Sequence, residues 1–112
     1  MEQYLAYLER RIAAISAEEL ALARRDRKDE ANLAKVKANI LGVCKTVYET
    51  FCRVGKSDAD YLQKLDELAN GWYTAMEQAK RHGDVERAVI EEIKLETLTG
   101  AKETFLALRE AI

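Results

Sequence analysis

Residues 57–84, SDADYLQKLDELANGWYTAMEQAKRHGD, read as one complete α-helix with its own start and stop. Leu62, Leu65, Leu68, Ala69, Trp72, Met76 and Ala79 recur every three or four residues. That spacing lines them along one side of a helix, which must be buried against other helices. Ser57 is an N-cap residue and Asp60 stands three positions on, a variant of the capping box. Asp58 and Asp60 suit the positive end of the helix dipole, and Lys80, Arg81 and His82 suit the negative end. Gly83 is the stop and Asp84 the next cap.

Working outward, Gly55 ends a preceding helix, and a further helix runs from Asp84 to residue 111. The latter carries Val85, Val89, Ile90, Ile93, Leu95, Leu98, Ala101, Phe105 and Leu108, with Gly100 marking close packing or a mild bend. Upstream, Leu33, Val36, Ile40, Val43 and Val47 form one seam, and Leu41, Cys44, Tyr48 and Phe51 form a second beside it. Two seams suit a helix touching two neighbours, so this one belongs at the centre. The expected core brings Ile40, Val43 and Val47 against Leu65, Trp72 and Met76.

Leu5, Leu8, Ile12 and Ile15 start the first helix. Between Arg24 and Glu30 every residue is charged. A turn here gives four helices, about 2–24, 29–54, 58–82 and 84–111. The rival is one long helix to residue 54, because the heptad register runs on through Glu19, Asp26 and Asp29. With those acids at core positions, this end of the bundle is open to water. The fold class is all-α: an antiparallel bundle of about four helices in a single domain over residues 1–112. Dimerisation is a means of completing it, because a fading first helix leaves apolar surface uncovered. The expected seam is Tyr4, Leu8, Leu95, Leu98 and Phe105.

Hydrophobic residues make up 48% and charged residues 34% of the 112, as in a folded protein. The net charge of −2 argues against a dedicated nucleic-acid binder. Residues 1–56 carry 11 Lys/Arg against 8 Asp/Glu, and residues 57–112 carry 7 against 12, so the halves attract weakly. No apolar run approaches the ~20 residues that span a bilayer. The N-terminus lacks a secretory pattern, so a cytoplasmic location is expected. Cys44 and Cys52, eight residues and ~12 Å apart along a helix, are out of disulfide reach and read as reduced, buried thiols.

Catalytic signatures are sparse. His82 is the one histidine, too few for a triad or a multi-histidine metal site. No Gly-rich phosphate loop exists, and Ala79 stands where a Glu-x-x-His motif needs its carboxylate. Glu91, Glu92 and Glu96 read as a solvated acidic face. Trp72, Tyr73, Tyr48 and Phe51 are candidates for an aromatic ligand groove between helices. Residues 72–88 resemble one tetratricopeptide repeat in Trp72, the Gly83-Asp84 turn and Ala88. Met76 replaces the usual small residue, no proline closes the unit, and no second copy follows at a period of about 34 residues.

The composition therefore points to a non-enzymatic protein without cofactors, acting by association as a homodimer or an adaptor. Its partners are protein, not nucleic acid or membrane. A small-molecule-binding bundle is the alternative, and a carboxylate metalloenzyme ranks third.

Overall fold

The computed structural model describes residues 1–111, and it consists of four α-helices joined by short turns. They are α1 (Glu2–Arg24), α2 (Lys28–Arg53), α3 (Asp58–Arg81) and α4 (Val85–Glu110). The chain breaks at the charged run, so the single long helix does not form. All three turns follow one design. The amide three residues past each helix end bonds back five residues: Arg27 to the Leu22 carbonyl at 2.9 Å, Lys56 to Phe51 at 2.9 Å, Asp84 to Ala79 at 2.8 Å. This is the Schellman closure, and it needs a left-handed residue just past the helix. Gly55 and Gly83 supply it, at φ 76° and 73°; the first turn uses Asp26 at φ 61°. Ser57 and Asp60 form the reciprocal capping box, whose hydrogen bonds hold the Asp60 carboxyl below its usual value. Asp84 caps α4 by accepting from the Arg87 amide. Open space surrounds Gly100, so close packing does not explain it.

Each helix contributes one aromatic ring to a shared layer: Tyr4, Tyr48, Tyr61 and Phe105. Their centroids lie 5.0–5.9 Å apart in edge-on or tilted pairs. The Tyr4 and Tyr61 hydroxyls are 2.6 Å apart, and Tyr61 donates to the Cys44 carbonyl at 3.1 Å. The N-terminal amine donates to the Tyr48 hydroxyl. Leu8, Leu65, Cys44, Leu98 and Ala101 continue the core from this layer.

The two hairpins, α1–α2 and α3–α4, repeat each other. An offset of 57 residues carries Tyr4 onto Tyr61, and likewise Leu8 onto Leu65, Leu41 onto Leu98 and Tyr48 onto Phe105. The ion pair between Lys45 and Glu9 (3.5 Å) recurs as Lys102 and Asp66 (2.6 Å). Every buried residue of α4 has a buried counterpart in α2. Related residues sit at the same level, so the pseudo-two-fold axis runs along the bundle. The inner helices α2 and α4 are parallel and pack across the axis, while α1 and α3 lie at the outer corners. The cross-section is accordingly flattened, 34 by 23 Å.

The core differs from the expected one in its facing. Ile40, Leu65 and Met76 are buried, but Val43, Val47 and Trp72 are only half-buried. The axis turns α2 so that Leu41, Cys44 and Tyr48 face inward and the valine seam lies at an edge. Cys44 is buried, which pushes its thiol up to about 12; Cys52 is exposed, contrary to expectation.

Two consequences are measurable. A non-glycine residue at positive φ costs roughly 1–2 kcal/mol, less for aspartate, and glycine removes that cost while loosening the unfolded chain. Asp26→Gly is expected to stabilise the protein by about 0.5–1 kcal/mol in urea denaturation. Burial also pushes the Tyr4 and Tyr61 hydroxyls up, and Tyr48 up to about 12. The folded state thus holds protons that the unfolded chain releases, so this stability is complete at low pH and is lost as pH rises. Urea midpoints are expected to decline above about pH 9, where the unfolded thiol ionises, and more steeply above about pH 10.

Candidate functional site

Near the N-termini of α2 and α4, Ala31, Ala34 and Ala88 are buried, and larger side chains beside them border an open groove. Its volume is about 330 Å³, and it is lined by Asp29, Asn32, Leu33 and Val36 on α2 and by Glu86, Val89 and Ile90 on α4. The 57-residue offset pairs Asp29 with Glu86, Asn32 with Val89 and Leu33 with Ile90, so the groove straddles the axis. A carboxylate stands on each rim above an apolar floor. Neither carboxylate has an ion-pair partner among the described residues. Val89 is 39% exposed, and Val85, one turn earlier, is 73% exposed. Leu33 and Ile90 are half-buried and stand outside the main core cluster. From residue 29 to 36 the groove runs ~10 Å, two helical turns.

On the far side of Glu86 and Ile90 the groove adjoins a separate, shallow depression on α4, lined also by Asp84, Arg87, Glu91 and Lys94. Glu91 was expected on a solvated face with Glu92 and Glu96. Those two are exposed, but Glu91 is only 4% exposed. It falls on the inward stripe of α4 with Ala88, Leu95 and Leu98, at the level where α2 places Ala34. The Lys94 ammonium lies 3.2 Å from Oε1 and 5.9 Å from the centre of the Trp72 ring. Oε2 is buried and accepts no hydrogen bond. A buried carboxylate oxygen in this condition costs stability.

The aromatic residues expected to share a groove are not brought together. Tyr48 is in the ring layer beside Tyr61, and Trp72 lies eleven residues further along α3, ~16 Å away. Tyr73 is 55% exposed, and half-buried Phe51 sits under the Lys56 ammonium. Of the expected dimer seam, Tyr4, Leu8, Leu98 and Phe105 are buried inside a single chain. The ring layer takes up Tyr4 and Phe105, the core beside it takes up Leu8 and Leu98, and Leu95 is half-buried. His82 is the exposed C-cap of α3. No cluster of three His, Cys, Asp or Glu suited to a metal occurs among the described residues.

Glu91→Met replaces an unpartnered buried acceptor by a side chain of similar length. It is expected to raise stability by about 1–3 kcal/mol in urea or thermal denaturation. Compared with protein families, with curated protein sequences and with solved structures, the chain matches none of them.

Proposed function

We propose that the chain acts by protein–protein association, as an adaptor whose α2–α4 groove receives an amphipathic helical segment of a partner. One observation carries this reading: a two-turn apolar groove with exposed Val89 and half-buried Leu33, Val36 and Ile90, which the chain itself leaves uncovered. Helix-in-groove recognition uses anchors at i, i+3 or i+4 and i+7, which is the length available here. Uncovered contiguous apolar surface is a feature of interaction sites. A dimer through Tyr4, Leu8, Leu98 and Phe105 is not part of the proposal, because those side chains are interior. The small-molecule reading is less favoured: about 330 Å³ is at the low end for ligand pockets, and the groove is open. The proposal includes a cytoplasmic setting and no catalytic step, on the strength of the sequence features. No described helix is long and apolar enough to cross a membrane.

The test is a methyl NMR titration with a helical peptide of about fourteen residues, leucine at i, i+3 and i+7. Methyl signals of Leu33, Val36, Val89 and Ile90 are expected to shift together. Val89→Asp is expected to abolish the shifts while melting within about two degrees of the parent, because the residue is exposed. Light scattering that gives twice 12.7 kDa, with a monomer restored by Val89→Asp, would assign the groove to a second copy and overturn the adaptor reading.

A further inference from the structure

We infer that the segment received by the groove is basic, and that Glu91 is the buried anchor for one of its arginines. The inference rests on the proposed groove and adds the chemistry of its occupant. Asp29 and Glu86 stand unpaired on opposite rims, so an approaching chain meets negative charge on both sides of an apolar floor. Such rims favour a helix with leucines on one face and cations flanking them. Rim charge alone does not define a site. The second observation is Glu91, which lines the depression that adjoins the groove across Glu86 and Ile90, within reach of a long side chain laid over that wall.

Glu91 is 4% exposed, and its Oε2 accepts no hydrogen bond. A carboxylate has about four acceptor positions, and Lys94 occupies one of them from Oε1. The repeat shows that packing does not require a carboxylate here, because the α2 counterpart is Ala34, equally buried. What Oε2 lacks is a donor. An arginine offers five N–H donors in a planar fork and remains charged when desolvated, so it suits a buried acceptor better than lysine. Entry requires the Lys94 side chain, 27% exposed, to swing aside. Trp72 already offers its ring face to that ammonium. The docked arginine would then hold the carboxylate, with the Lys94 ammonium moved over the Trp72 ring.

Two peptides of the amphipathic design test this, identical but for arginines or glutamates flanking the leucines. The arginine peptide is expected to bind at least tenfold more tightly, with an affinity that falls as salt rises. Glu91→Gln keeps the shape of the side chain and removes its charge, and it is expected to weaken the arginine peptide at least tenfold. Circular dichroism melting checks that this variant is folded, and Glu91→Ala, which copies Ala34, is the second variant. Equal binding of both peptides, with the groove methyls shifting, would overturn the basic-partner inference and leave the groove standing. Discrimination between the peptides that survives in both Glu91 variants would overturn the anchor alone. Groove methyls that neither peptide moves would overturn the groove itself.

Discussion

In the layer of Tyr4, Tyr48, Tyr61 and Phe105 all four helices meet through one ring each. The closest packing runs within each hairpin and across the α2–α4 pair, α1 touches α4 and α2 touches α3 more sparingly, and α1 and α3 do not approach each other along their backbones. The Tyr4–Tyr61 hydroxyl bond spans that gap at the axis. Edge-on aromatic pairs add about 0.5–1.5 kcal/mol each beyond the area they bury, and buried tyrosines require partners for their hydroxyls. Here all three hydroxyls have one. Tyr61 uses its single proton on the Cys44 carbonyl, so Tyr4 is the donor between the two. The fourth ring is Phe105, which brings no hydroxyl and needs no partner. A hydrogen bond lying on a two-fold axis has to point one way, so the symmetry breaks here for a purely chemical reason.

Duplication about a lengthwise axis sets the rest. It makes α2 and α4 parallel neighbours, with the positive ends of both helix dipoles together at the open end. Asp29 and Glu30 in the first turn of α2, and Glu86 in that of α4, offset this. The acids on the groove rims therefore serve the dipoles as well as any partner. The buried alanines Ala31, Ala34 and Ala88 are too small to fill the space beside them. One arrangement thus produces the close inner pair, the open groove and the acidic rims.

The helix boundaries were legible in the sequence because caps and stops are local chemistry. Ser57 and Asp60, Gly55, Gly83 and Asp84 each act within a few residues of their own position. The Asp26 turn lacked the usual glycine and was marked only by charge. Which seam of α2 faces inward was not legible, because Ile40–Val43–Val47 and Leu41–Cys44–Tyr48 are both apolar and the choice depends on neighbouring helices. The same limit made Tyr4, Leu8, Leu98 and Phe105 resemble surplus surface, since the core that buries them joins residues as far apart in the chain as Tyr4 and Phe105. One signal lay in the sequence: Tyr-Leu-x-x-Leu followed by an acid begins at both Tyr4 and Tyr61, with Lys45 and Lys102 in register. Self-comparison at a long period would have found it. Glu91 was also marked, by falling on the apolar stripe of α4.

The repeat separates what the fold requires from what it does not. Both hairpins face the same packing problem, so positions that serve packing agree between them: Leu8 with Leu65, Ala31 with Ala88, Leu41 with Leu98. Positions that differ in polarity while equally buried answer to some other demand. Ala34 and Glu91 are such a pair, and among the described residues Glu91 is the one buried side chain with an oxygen left unpartnered. A neutral alternative is already present in the other copy, and the carboxylate costs stability where it stands. Within a nearly symmetric scaffold, that cost falls in the depression that adjoins the groove across Glu86 and Ile90, where packing does not account for it.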